Sequence, residues 1–222
     1  MKSEIISSWK KNAKEWTETI QNHRIPSRKF TNKAILDAVT ALNPKKVADF
    51  GCGEGWLTRE MCKLGMNAVG FDAVEELLIE ARKSEWGIYH KLSFEEMIGG
   101  KAIPEVPFDM AVFNFCLYVK ENMQELLENA LQVIKSKGHI VIQTLHPYFL
   151  IQNGMLYKSQ WISDSWKGLP GNFTDGHSWY ARIFEDWVEV FERMENSSFT
   201  IKEITNNESQ PISLLIQIKK LK

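Results

Sequence analysis

The spacing of apolar residues divides the chain into segments of different period. From Ser3 to Gln21, the residues Ile6, Trp9, Ala13, Trp16 and Ile20 recur at steps of three and four, one stripe of an amphipathic helix. A second helix is predicted from Ser27 to Leu42, opened by Ser27 and closed ahead of Pro44. The period then shortens. Val47–Phe50, Ala68–Phe71, Ile88–Leu92, Phe108–Asn114 and His139–Leu145 are short apolar runs bounded by turn residues, the pattern of strands covered on both faces. Helical segments alternate with them: Gly55–Leu64, ended by Gly65, then Val74–Lys83, Phe94–Ile98 and Asn122–Ile134.

Strands alternating with helices across short connections imply a parallel sheet with right-handed crossovers. The end of the chain differs. A helix over Phe184–Met194 leads into strands at Phe199–Ile204 and Ser213–Ile218, joined by about eight residues of turn type. That connection is too short for a helical crossover, so the two strands pair antiparallel. The expectation is an α/β fold: a doubly wound, mostly parallel seven-stranded sheet with an antiparallel last strand. A length of 222 residues suits a single domain. Its expected parts are N-terminal helices forming a lid (1–42), a core (43–145), an insertion after the fifth strand (146–182), and a C-terminal helix with a β-hairpin (183–222).

The insertion carries Tyr148, Phe149, Tyr157, Trp161, Trp166, Phe173, Trp179 and Tyr180 among several glycines. A connection of this length in a compact domain is usually functional or disordered, and its aromatic load argues for function. The net charge of −1 removes the basic excess that long nucleic acids require. A local basic face built from Lys10, Lys11, Lys14, Lys29 and Lys33 would still serve an RNA or protein substrate. The cysteines, Cys52, Cys62 and Cys116, form no C-x-x-C pair, and no run approaches a membrane span. A cytoplasmic protein without membrane partners is expected; the oligomeric state stays open.

The chemistry concentrates at Asp49-Phe50-Gly51-Cys52-Gly53-Glu54-Gly55, where the first strand turns into a helix. Glycines there admit a tight bend and a close ligand, and the helix start offers free N–H groups. Asp72 ends the second strand, 21 residues after Gly51, where an acid accepts hydrogen bonds from both hydroxyls of a ribose. The dinucleotide pattern G-x-G-x-x-G/A would place its third small residue at Trp56, which is too large. Asp49 adds a negative charge that suits a sulfonium and an ammonium better than a pyrophosphate. A nicotinamide-dependent reductase is therefore the least favoured reading.

VADFGCGEGWLTREM (Val47–Met61), GFDAV (Gly70–Val74), FDMAVFNFCLYV (Phe108–Val119) and LQVIKSKGHIVIQTLHP (Leu131–Pro147) resemble the motifs of class I S-adenosylmethionine-dependent methyltransferases. The resemblance implies S-adenosylmethionine as cofactor and S-adenosylhomocysteine as product. It places Asp49, Gly51 and Gly53 along the methionine part, with Cys52 of the same loop also cofactor-binding, and Asp72 at the ribose. Ala73, Ser93 and Phe94 would flank the adenine, and Asn114 and Phe115 would lie beneath the sulfonium. An acid is common just before the position of Phe94 in the family, and Ser93 stands there instead. N-terminal helices act as lids in related enzymes, which makes Trp16 and Arg28 candidates for the methionine end.

Asn114-Phe115-Cys116-Leu117 lacks the prolines of enzymes that methylate exocyclic base amines, and no proline precedes Cys116 as in pyrimidine-carbon enzymes. No tight carboxylate cluster suggests a metal site. A small-molecule O- or N-methyltransferase remains, acting by in-line displacement. A methyltransferase for RNA or protein, and a non-catalytic S-adenosylmethionine-binding protein, are the alternatives. His146, directly after the fifth strand, is the first candidate general base; His177 is the second, and Tyr118 a candidate for orienting substrate.

Overall fold

The computed structural model describes residues 2–221; Met1 and Lys222, the outermost residues of the expected lid and hairpin segments, lie outside them. The chain begins with α1 (Lys2–Gln21) and α2 (Arg28–Ala41). The core then runs β1 (Lys46–Phe50), α3 (Trp56–Lys63), β2 (Asn67–Asp72), α4 (Glu75–Ala81), β3 (Ile88–Lys91), α5 (Phe94–Ile98), β4 (Phe108–Asn114), α6 (Met123–Gln132) and β5 (Ile134–Leu145). The insertion contributes α7 (Tyr148–Gln152), β6 (Gln160–Ile162) and β7 (Trp179–Ala181). The chain closes with α8 (Phe184–Glu192), β8 (Ser197–Thr205) and β9 (Pro211–Lys220).

The main sheet has seven strands in the order β3-β2-β1-β4-β5-β9-β8. All neighbours from β3 to β5 pair in parallel, while β9 runs antiparallel to both β5 and β8. The class and the reversed last strand agree with the apolar pattern. Central strands are apolar at successive positions because both faces are covered. On one face Phe50, Phe71, Phe113, Ile140 and Ile142 pack beneath Leu126, Leu127, Trp187 and Phe191 of α6 and α8. On the other, Val47, Met110 and Val141 meet Ile35 and Val39 of α2 and Leu57 and Met61 of α3.

Two local differences have physical causes. Helix α6 ends at Gln132 and the strand already starts at Ile134, where a helix was expected. The register between β4 and β5 shifts between Phe108 and Met110, and Gly138 sits in that irregularity. A Cβ there would lie 2.2 Å from Ile134 Cγ2 and 2.5 Å from the Asp109 carbonyl, so only glycine fits. The insertion also forms its own antiparallel ribbon, β6 with β7, which the apolar pattern does not announce. Among the described residues no helix is long and apolar enough to cross a membrane.

Helix α1 docks on α4 through Ala13, Val74 and Leu77, with Ile6, Trp9 and Trp16 packed around them. Its other side is stitched to the insertion. The Asn12 amide donates to the Thr174 carbonyl at 2.7 Å and accepts from the Thr174 N–H at 2.9 Å. Ser8 donates to the Asp175 carbonyl at 2.6 Å and accepts from the Trp166 indole at 2.9 Å.

Candidate functional site

Strand order reverses between β1 and β4, and in open α/β sheets ligands bind at such a switch point, beyond the carboxyl ends of the strands. A cavity of about 140 Å³ lies there. From β1 and its loop come Asp49, Gly51, Cys52 and Gly53, and from the end of β2 come Asp72 and Ala73. Ser93 and Phe94 enter from the β3 exit, Asn114 and Phe115 from the β4 exit, and Trp16 and Arg28 from the N-terminal helices. Every residue that the sequence nominates for the cofactor therefore borders one space.

The loop geometry follows from its glycines. Gly51 has φ of +74°, and a Cβ there would lie 2.6 Å from the Cβ of Cys116, so a side chain is excluded twice over. Its N–H and that of Cys52 both donate to the Phe71 carbonyl, which ties the loop to β2. Asp72 fixes the other side. One carboxylate oxygen accepts from the Gly53 N–H and the other from the Val74 N–H, each at 2.8 Å. Phe115 itself adopts φ of +51°, an unusual backbone state for an aromatic residue at the mouth of β4.

Burial sets the electrostatics. Asp49 is only 1% exposed, and desolvation lifts its pKa to about 7 against the opposing hydrogen bond from the Thr58 hydroxyl at 2.7 Å. Asp72 is raised for the same reason, with its backbone N–H donors pulling the other way. Burial also pushes the Cys52 and Cys116 thiols well up, which keeps them protonated. Arg28 lies over the Trp56 ring at 4.6 Å, and desolvation lowers its pKa to about 10, so it remains charged. Its Nη2 and the Asn114 Oδ1 are buried without a partner among the described residues. Pairs that the sequence did not disclose complete the site: Thr58 with Asp49, and the buried Glu54 with Arg59 at 2.5 Å. Ser93 has a local duty as well, capping α5 in a reciprocal box with Glu96.

A second cavity, of about 750 Å³, adjoins the first. Trp9, Trp16, Arg28, Phe115 and Tyr118 border both. The rest of its wall is largely the insertion, including Phe149, Trp161, Trp166, Trp179 and Tyr180, together with Arg182.

The histidines nominated as bases border neither cavity. His146 is 5% exposed; its Nε2 meets Glu203 at 2.8 Å and its Nδ1 accepts from the Tyr148 N–H at 3.0 Å. Both ring nitrogens are thus engaged in joining the β5 exit to α7 and β8. That engagement, with the turn of the chain at Pro147, is what takes the ring away from the site. His177 is held through Nδ1 to the Ser178 carbonyl at 3.0 Å, and burial lowers its pKa. Tyr118 does border both cavities, but burial raises its pKa and its hydroxyl donates to the Phe115 carbonyl, so it stays a neutral phenol. Among the described residues no group of three or more His, Cys, Asp or Glu side chains is placed to hold a metal ion.

A glycine-loop cavity at the switch point, with an acid at the end of β2, defines a nucleoside-binding α/β domain of the doubly wound kind. Residues 22–195 match the family model described as a methyltransferase domain, and the chain belongs to that family, with the class I S-adenosylmethionine-dependent methyltransferase fold. It is 29% identical over 125 residues to a ubiquinone biosynthesis O-methyltransferase of Pelagibacter ubique, covering 53% of this chain and 50% of that enzyme. It is 23% identical over 149 residues to a demethylmenaquinone methyltransferase of Tropheryma whipplei, covering 67% and 62%. The chain thus matches between half and two thirds of the length of these relatives. In fold it is similar to the Burkholderia thailandensis 1,6-didemethyltoxoflavin-N1-methyltransferase, with a TM-score of 0.70 at 14% identity over 99% of this chain and 88% of that one.

Proposed function

We propose that the protein transfers a methyl group from S-adenosylmethionine to an oxygen or nitrogen of a small molecule. One observation carries the reading. The switch-point cavity is lined by a doubly anchored carboxylate, Asp72, and by Arg28 and Asn114, whose Nη2 and Oδ1 are buried with no partner among the described residues. The three suit the ribose diol, the carboxylate and the ammonium of that cofactor, and unpartnered buried groups are costly unless a ligand satisfies them. When bound, the cofactor supplies an activated methyl on a sulfonium. Gly51 and Gly53 let the backbone approach its methionine part, and Ala73, Ser93 and Phe94 border the region suited to the adenine.

Catalysis by these residues is alignment and water exclusion. Trp9, Trp16 and Tyr118 form an aromatic wall between the two cavities, with Trp9 and Trp16 ring centres 5.1 Å apart. Such faces favour a cation at the reacting centre. The Burkholderia thailandensis enzyme is bound to 1,6-didemethyltoxoflavin and S-adenosylhomocysteine, and the larger cavity here offers aromatic walls for a small acceptor. The lysines that would form a basic face are largely neutralised: Lys10 pairs with Glu76, Lys11 with Asp175, Lys14 with Glu18 and Lys33 with Asp37. That disfavours RNA. The three cysteines are free thiols, which suits a reducing cytoplasm.

Calorimetric titration with S-adenosylmethionine, S-adenosylhomocysteine and NADH tests the reading. Micromolar affinity, about −8 kcal/mol, is expected for the adenosyl ligands only. Asp72→Asn should weaken it about 100-fold, the worth of two hydroxyl hydrogen bonds to a charged acceptor. Equal affinity for NADH, or none for either adenosyl ligand, overturns it.

A further inference from the structure

Arg182 lies in the wall of the larger cavity and is only 6% exposed. Its guanidinium sits 5.1 Å from the ring centres of both Tyr180 and Trp187. One nitrogen donates to the Lys120 carbonyl at 2.7 Å; Nη1 is buried with no partner among the described residues. Desolvation lowers its pKa to about 10, so it is charged at neutral pH, and Glu121 and Asp186 act on it only from a distance, without an ion pair. A buried charge held by aromatic faces and distant carboxylates, with no ion pair among the described residues, is costly, and a ligand anion would complete it. Arg28, at the junction of the cavities, is taken up by the carboxylate of the cofactor, which leaves Arg182 to the acceptor; Asp164 and Lys167, both exposed on the rim, carry opposite charges.

Among the described residues no histidine borders the same wall, and Tyr118 is a neutral phenol. Its one carboxylate, Asp164, is exposed and accepts from the Trp166 N–H. A nucleophile that had to be deprotonated deep in the site would find no base beside it.

Resting on the proposed methyl transfer, we propose that the acceptor is an aromatic oxygen acid, a carboxylate or an acidic phenol, that arrives already ionised and pairs with Arg182. The anionic oxygen attacks the methyl carbon, the C–O bond forms, and the C–S bond breaks with its electron pair passing to sulfur. The oxyanion and the sulfonium neutralise each other, and no proton changes hands. The aromatic wall takes the planar body of the acceptor.

The test uses the full chain saturated with S-adenosylhomocysteine and follows tryptophan fluorescence during titration with 2-naphthoate, 4-nitrophenol, 2-naphthamide and 2-naphthol at neutral pH. The two acids should bind about 30-fold more tightly than the two neutral probes, the scale of a desolvated charge pair. In the same protein with S-adenosylmethionine, the acids should give methyl ester or ether by mass spectrometry, with a rate flat above the pKa of the probe. The arm that turns over tells carboxylate from phenol. Arg182→Met should erase the preference and raise KM more than it lowers kcat; Arg182→Lys should restore part of it. Tighter binding of the neutral probes by the wild-type protein overturns the proposal without any variant having to fold. Loss of S-adenosylhomocysteine binding would instead overturn the cofactor reading, so the two failures are distinct.

Discussion

Asp49→Asn should stabilise the ligand-free protein, and by an amount that grows with pH. The wild-type carboxyl has a pKa of about 7 in the fold against 3.8 when unperturbed, because burial penalises its charge. Below pH 3.8 it is protonated in both states. Between 3.8 and about 7 the unfolded chain ionises while the folded chain keeps its proton, so stability falls as pH rises. Above about 7 both states are ionised and the loss is complete. Three pH units correspond to about 4 kcal/mol. Asparagine does not titrate and keeps an oxygen for the Thr58 hydroxyl, so the variant escapes this loss. From pH 4.5 to pH 8.0 the gain of the variant over wild type should grow by about 3 kcal/mol, on the order of 10 °C in Tm for a chain of this length. Thermal unfolding of both proteins at the two pH values reads it directly, and titrating groups that do not feel the Asp49 charge, as Asp72 and Glu54 do, cancel in the comparison. A Tm difference that is the same at both pH values refutes the reasoning. A charge kept in the fold at such a cost has its use in the ligand-bound state.

Two further substitutions separate structure from chemistry. His146→Ala should cost about 1–3 kcal/mol of stability in denaturant titration, through the lost links to Glu203 and Tyr148, while kcat stays within about threefold; a hundredfold fall in kcat at unchanged stability would make the ring catalytic after all. Gly51→Ala must place a Cβ 2.6 Å from that of Cys116 in a left-handed backbone, so about 3 kcal/mol of stability and measurable S-adenosylhomocysteine binding should be lost together; an unchanged affinity would show that the loop does not hold the cofactor.

The core of the sheet was legible because its strands are covered on both faces, and such strands carry their burial in composition alone. Asp49, Gly51, Asp72 and Asn114 were legible for a related reason: they stand at strand ends, where sequence position fixes spatial position. His146 also stands at a strand end, yet its ring turned to Glu203, a residue 57 positions away that no local spacing reveals. The β6–β7 ribbon escaped because each strand has only three residues, too few for a period. Arg182 was passed over although it left a mark, a lone arginine inside the otherwise apolar run Trp179–Phe184. Its meaning depends on the burial of a single nitrogen.

The stitching of α1 to the insertion bears on how such a protein is re-engineered. The Asn12 amide meets the Thr174 backbone much as a neighbouring strand would, and Ser8 serves both Asp175 and Trp166. Grafting residues 146–182 from a relative to change acceptor preference would leave these polar groups facing foreign backbone. The portable unit is discontinuous: the first helix has to travel with the insertion, although more than a hundred residues of unaltered core lie between them in the chain.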